Sequence, residues 1–198
     1  MPNVAVQNQF GDWGTLIISQ VGYLNNAVQN QGGYMNHAMI TQMGAWNQAF
    51  QTQMGSHNMA NIMQSGNGNV ATQTQTGSWD VALAVQNGTS NISNQTQMGY
   101  GYAPNMAVVT QTGTANVANQ IQAGWGNIAL ATQVGTGNNS TQMQTSYWNN
   151  STVTQSGYYN VAVTNQYGHN NNAVVTQSGT SNWGQIHQGG HHNYGTIT

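Results

Sequence analysis

The segment Gln31-Gly32-Gly33-Tyr34-Met35-Asn36-His37-Ala38-Met39-Ile40-Thr41-Gln42 holds one full unit of a repeat and the first residue of the next. Gly33 follows Gln31 by two positions, Asn36 follows Gly33 by three, and Ala38 follows Asn36 by two. Working outward, the same Gln recurs at every eleventh position, as Gln9, Gln20, Gln31, Gln42, Gln53, Gln64, Gln75, Gln86 and Gln97. One longer step, by three positions, leads to Gln111, and the period resumes through Gln122, Gln133, Gln144, Gln155, Gln166, Gln177 and Gln188. Its glycine partners begin Gly11, Gly22, Gly33, Gly44, Gly55, Gly66, Gly77 and Gly88, and only Ser146 breaks the rule. The asparagine column reads Asn25, Asn36, Asn47, Asn58, Asn69, Asn91, Asn105, Asn116, Asn127, Asn138, Asn149, Asn160, Asn171, Asn182 and Asn193. Gly14 and Asp80 take the Asn place in two units. A small residue follows, as at Ala27, Ala38, Ala49 and Ala60. With Asn3–Gln9 in the same frame, the chain holds 18 units. Self-similarity at a fixed period marks a repeat architecture.

Each unit reads Asn-x-Ala-x-z-x-Gln-x-Gly-x-x. Its first four marked positions alternate, the signature of a strand with one buried face. Glycine next supplies a sharp bend, because it reaches φ > 0 without steric cost. The pattern predicts seven residues of strand and four of turn. Position z sets the larger repeat: Gln7, Ile18, Gln29, Ile40, Gln51, Ile62, Gln73, Ala84, Gln95, Val109, Gln120, Ala131, Gln142 and Val153 alternate amide with apolar side chains. Only Thr164, Val175, Ile186 and Ile197 depart from that alternation. The true repeat is therefore two units, the span from Gln7 to Gln29. This predicts an all-β fold, a β-solenoid of 18 strand–arc units in nine stacked two-strand rungs, parallel and in register. Residues 1–198 form a single array, and nine rungs at ~4.8 Å make a cross-β rod about 43 Å long. A three-residue insertion, within Gly99-Tyr100-Gly101-Tyr102-Ala103-Pro104, falls in a turn. Pro104 there removes no ladder hydrogen bond from a strand interior.

The inward columns are chiefly amides. A buried amide without a partner costs about 1–3 kcal/mol, so each must find one. In-register stacking supplies it, Gln42 bonding Gln20 and Gln64, and so on along the axis. Neutral amides stack without limit, whereas a column of like charges repels itself. Lys at Gln53 or Asn58 should therefore hinder folding far more than Lys at Ser56.

Composition excludes several functions. There is no Lys or Arg, and Asp12 and Asp80 are the only acidic side chains. Nothing here makes a basic footprint for nucleic acid or an anionic membrane. No apolar run approaches the ~18 residues of a transmembrane span. Met1-Pro2-Asn3 lacks the basic start and apolar stretch of a signal peptide. Without cysteine there is no disulfide or thiolate–metal scaffold. Asp12 and Asp80 are too far apart along a rod to act as a catalytic pair, and a solenoid filled by its own side chains offers no pocket. No catalytic residue, cofactor or metal is called for.

Two clusters invite other readings. His191-His192 with His187 could hold Cu or Zn through imidazole. With no carboxylate or thiolate beside them, exposed turn and strand residues are the favoured reading. Trp13, Trp46, Trp79, Trp125, Trp148, Tyr23, Tyr34, Tyr158 and Tyr159 fall in turns, where they cover edges or meet a sugar or a neighbouring fibre. The glycosylation triplet Asn149-Asn150-Ser151 uses an asparagine of the core column. Thr110, Thr132, Thr154, Thr176 and Thr198 form one outward column, which suits an ice-binding or adhesive monomer. The adjacent column, Val108, Leu130, Thr152, Val174 and Thr196, denies that surface a double Thr row.

The motif Gln-x-Gly-x-x-Asn-x-Ala-x-x-x-Gln resembles the curlin repeat of the major curli subunits, the functional amyloid of bacterial biofilms. The resemblance runs from Asn3 to Thr198, with Gln20, Asn25, Ala27 and Gln31 and their equivalents as core ladder. It implies a secreted β-solenoid that polymerises head to tail at the cell surface, into a biofilm-matrix fibre that also serves adhesion. It implies as partners other copies of the chain, an outer-membrane export channel and a minor nucleator subunit. The family's Gly-rich targeting segment ahead of the repeats is not present, nine rungs exceed the family's usual five, and the family's scattered charges are nearly missing. Repeats reaching both Asn3 and Thr198 leave rungs with unpaired edges, which suit that polymerisation.

Overall fold

The computed structural model describes residues 1–101 and 103–198, so Tyr102 of the insertion lies outside the described residues. In chain order the strands are β1 Val4–Asp12, β2 Thr15–Tyr23, β3 Asn26–Tyr34, β4 His37–Ala45, β5 Gln48–Ser56 and β6 Met59–Asn67. There follow β7 Val70–Ser78, β8 Val81–Thr89, β9 Ile92–Gly99, β10 Met106–Thr114, β11 Val117–Trp125 and β12 Ile128–Thr136. The last six are β13 Asn139–Tyr147, β14 Asn150–Tyr158, β15 Val161–His169, β16 Asn172–Thr180, β17 Trp183–His191 and β18 Tyr194–Ile197. Odd strands form one nine-stranded sheet and even strands another. Every pairing is parallel and joins like positions two units apart, as in Ala27↔Ala49 and Gln31↔Gln53. The chain is a β-solenoid of nine rungs. Across the insertion the offset grows by the three extra positions, as in Gln97↔Gln122, with no loss of register.

Most strands are nine residues long, and only two residues separate one from the next. The sequence pattern suggested seven and four. The difference arises because pairing continues through the bend. In the two-residue gap, Met35 N–H donates to the Asp12 carbonyl at 2.9 Å, and just beyond the gap before it Asn26 N–H donates to the Asn47 carbonyl at 2.8 Å. A solenoid hydrogen-bonds along its axis, so a corner within a rung need not interrupt the ladder.

Two residues make each corner. Gly55 has φ +112°, a conformation open chiefly to glycine, and a Cβ on it would stand 1.8 Å from the Gly77 carbonyl oxygen one rung away. Glycine is thus required twice, by its own torsion and by the rung above. Two residues later the chain bends again in the left-handed region, at Met35 (φ 53°), Trp46 (φ 62°), His57 (φ 58°) and Trp79 (φ 66°). For side chains of this size the conformation costs roughly 1–2 kcal/mol. No sequence signal marks this second bend, since its residues share neither size nor polarity.

Gly55→Ala should lose more than about 3 kcal/mol of stability, from torsional strain and the clash together. Gly189→Ala, where an added Cβ meets nothing within 4 Å, should stay within about 0.5 kcal/mol of the parent. Denaturant unfolding followed by circular dichroism compares the two, and equal losses would contradict the corner geometry.

Candidate functional site

The candidate site is the interior, whose polar side chains form columns along the axis. In the even sheet Gln20, Gln42, Gln64, Gln86, Gln111, Gln133, Gln155 and Gln177 form one chain of side-chain bonds of 2.7–2.9 Å. In the odd sheet Gln31, Gln53, Gln75, Gln97, Gln122, Gln144, Gln166 and Gln188 form another, at 2.8–2.9 Å. A third links the z-position residues Gln7, Gln29, Gln51, Gln73, Gln95, Gln120 and Gln142 at 2.8–3.0 Å. In every one, Nε2 donates toward the higher-numbered rung. The second Nε2 proton goes across the core: Gln29 donates to the Ile17 carbonyl and Gln64 to the Gln48 carbonyl of the facing sheet. One amide thus binds rung to rung and sheet to sheet. Sequence periodicity carried no trace of the second bond.

The asparagines hold the corners. Asn25 Oδ1 accepts from the N–H of Asn47 at 3.0 Å and from its Nδ2 at 3.1 Å. Asn47 Nδ2 also donates to the Met43 carbonyl of its own arc and to the Gly66 carbonyl one rung on. The glycine carbonyl and the asparagine amide are therefore a matched pair, which explains their joint recurrence. From Asn25 to Asn171 the column is buried. Asn149 is 1% exposed, too deep for a glycan. The Ala column, Ala27, Ala38, Ala49 and Ala60, lies between them, also buried.

Three ladder residues sit elsewhere than the repeat suggested. Gln9, Asn182 and Asn193 are exposed, because each belongs to an end rung with no neighbour on one side. Gln9 turns its Nε2 to the Gly14 carbonyl at 3.1 Å, which leaves the buried Gln31 Oε1 without a partner. Gln20 is half-buried for the same reason. Gly11, in the same end rung, lacks the positive φ of Gly22, Gly33, Gly44, Gly55, Gly66, Gly77 and Gly88.

The breaks in the z column have a structural logic. Thr164 replaces a Gln in β15, and opposite it Ser151 replaces an Ala in β14. Their hydroxyls meet at 2.6 Å, and Ser151 Oγ takes the proton that Gln142 Nε2 can no longer give to a next glutamine. Beyond them Val153, Val175 and Ile186 pack as an apolar cluster with Ile197 against it. The amide core hands over to a hydrophobic one.

Asp80 occupies an asparagine place with no exposure. Its Oδ1 accepts from the N–H and Nδ2 of Asn105 at 3.1 and 3.0 Å, while Oδ2 has no partner. Burial pushes its carboxyl up to about 6, against hydrogen bonds from Asn105 and the Gly99 backbone that pull it down. Protonated, it imitates asparagine. The odd residue sits beside the odd loop: Gly99, its contact, opens the three-residue insertion.

The aromatic residues line the corners largely exposed, Trp13 at 76% and Tyr159 at 61%. Among the described residues no three His, Cys, Asp or Glu side chains converge as a metal site. His191 and His192 are exposed at the last corner. Shallow apolar grooves lie on the outer face of the even sheet, one of about 320 Å³ between Ile17, Met39 and Met59.

Lys at Gln53 or at Asn58 should cost about 3–5 kcal/mol, the size of a buried, uncompensated charge. Lys at half-buried Ser56 should cost under about 1 kcal/mol. Melting curves of the three variants test the assignment, and similar losses would refute it. For Asp80 the folded state holds the proton more tightly than the unfolded chain. Stability should therefore be greatest below about pH 4 for this group and fall by about 3 kcal/mol as pH rises through 6. Asp80→Asn should remove that part of the pH dependence in denaturant titrations at pH 5 and 8, and an unchanged slope would overturn it.

A sequence model described as the curlin associated repeat matches residues 36–66 and 149–179. None of the curated proteins compared with the chain matches it. The two matched segments share their Gln, Gly and Asn frame with the units around and between them, and the structure gives all of these units one geometry. In these two stretches the chain carries the curlin associated repeat, within a longer array of like units.

Proposed function

We propose that the chain is the structural subunit of an extracellular, curli-like functional-amyloid fibre, and that its activity is its own head-to-tail polymerisation. One observation carries this reading: the two long glutamine ladders are directional and run to the end rungs. Glutamine donors point toward β17, so Gln188 at one end and Gln9 at the other have complementary capacity to spare. Asparagine acceptors behave alike, with Asn182 and Asn193 exposed at the last rungs. A second copy continues the same columns, and a heterologous contact of this kind grows a filament instead of closing. Near-absence of charge removes the repulsion that would oppose it.

The family supports the rest of the reading. A biofilm-matrix and adhesive role, a cell-surface location, an outer-membrane export channel and a nucleating subunit all follow from curli as a class. No helix is long and apolar enough to cross a membrane. The reading is non-enzymatic, since the only two acids are a buried ladder member and an exposed corner residue.

The rival, a monomeric ice-binding or adhesive solenoid, draws on the Thr column. Thr110, Thr132, Thr154 and Thr176 do lie in one register line. Beside it run Val108, Leu130, Thr152 and Val174, so the flat polar array is one residue wide.

Purified chain held at neutral pH should form fibres visible by electron microscopy, with a meridional reflection near ~4.8 Å. A persistent monomer without that reflection would reject the fibre reading. Ice-recrystallisation inhibition by such a monomer would establish the rival.

A further inference from the structure

The corner that leads from each odd strand to the next even one carries most of the chain's aromatic and titratable side chains. Rings stack there along the axis. Trp125 and Tyr147 lie 4.9 Å apart, Tyr147 and His169 3.5 Å, and His169 and His191 4.5 Å, all nearly parallel. His57 on Trp79 at 4.1 Å makes a second stack. The first stack runs out into solvent at His191 and His192. At the opposite end of the rod the same corner presents Asp12 and Trp13, both exposed.

The ladder register relates these two ends. Asp12 pairs with Tyr34 in the column that ends in His169↔His191. Continued by one step, that column would place an incoming Asp12 on His191, and the next column an incoming Trp13 on His192. Asp12 is the chain's only exposed acid, and it falls where two of the six histidines end a column. We propose that a second copy of this chain seats its first rung on the last in unbroken register, with Asp12 against His191 and Trp13 stacked on His192, and that the contact is strongest in mildly acidic solution. This rests on the polymerisation reading and adds its register and its control.

The sign follows from the groups present. Imidazole gains its charge as pH falls through about 6.5, while a carboxylate keeps its own above about 4. A carboxylate attracts a protonated imidazole, and the attraction is lost once an imidazole is neutral. Within one copy, stacking burial and then the charge of His191 lower the pKa of His169, with His192 adding to the effect. An incoming carboxylate relieves that crowding. The other titratable neighbours are Tyr147 in the stack, His187 on the outer face of β17 against Tyr167, and Tyr194 opening β18. None of them is an acid with its charge in this range.

Cysteines test the register directly, since the chain has none of its own. Adjacent parallel strands hold Cα atoms about 4.8 Å apart, within disulfide reach. Fibres of Asp12→Cys/His191→Cys, mildly oxidised, should give a ladder of covalent multimers on a non-reducing gel. Asp12→Cys/His169→Cys, one step further apart, should not. Seeded elongation of the parent should be about two- to fivefold faster at pH 5.5 than at pH 8, the size of an exposed ion pair, and 0.5 M salt should erase the difference. Asp12→Asn should lose that preference, with its monomer spectrum unchanged. No fibre at any pH would end the polymerisation reading and this proposal together. Fibres without the covalent ladder would overturn the junction alone, and equal pH ratios in parent and Asp12→Asn would overturn the charge pairing.

Discussion

A buried primary amide must be hydrogen-bonded, and here almost every constraint on the chain descends from that need. The side-chain carboxamide is both donor and acceptor, so a copy of itself one rung away is a complete partner. Identity of sequence from rung to rung is then the simplest way to satisfy the core. Gln42 between Gln20 and Gln64 shows it in one line of bonds. Any residue that alters a column affects its neighbours above and below, so the columns resist drift except where two changes compensate.

The exceptions bear this out because they come in pairs. Thr164 ends the third glutamine column, and Ser151 across the core supplies the hydroxyl that replaces the missing amide. Asp80 replaces an asparagine one rung before the lengthened arc, and its carboxylate fills the space where any side chain on Gly99 would stand. Ser146, the one residue in a corner-glycine column that is not glycine, holds φ 82° and still offers its carbonyl to Asn127. In each case the backbone ladder is kept, and where a side-chain partner is lost the bond is rerouted. The ladder has priority.

The same interaction joins stability to function. Repeat proteins gain stability from interfaces between neighbouring units, so a rung at the end is always short of one interface. Gln9 folding back on Gly14, and Gln31 Oε1 left without a donor, are that shortage at atomic scale. In the fibre proposed above, a second copy would supply the missing interface with bonds of the kind already present throughout, and folding and growth would be one reaction.

Sequence alone determined the period, the strand count, the pairing partner of each residue and the inward columns. A solenoid repeats its physics at each rung, so whatever is required at every rung is written at every repeat. Tertiary structure decided the rest. The left-handed bend at Met35 or Trp46 leaves no mark, because many side chains accept it once asparagine holds the corner. The bond from Gln29 to the Ile17 carbonyl depends on how closely two sheets face each other, which no spacing within one strand reports. Gln9, Asn182 and Asn193 carry the same letters as their buried counterparts, yet lie exposed. Their difference is position in the stack, and a residue's letter says nothing of whether another rung lies beyond it.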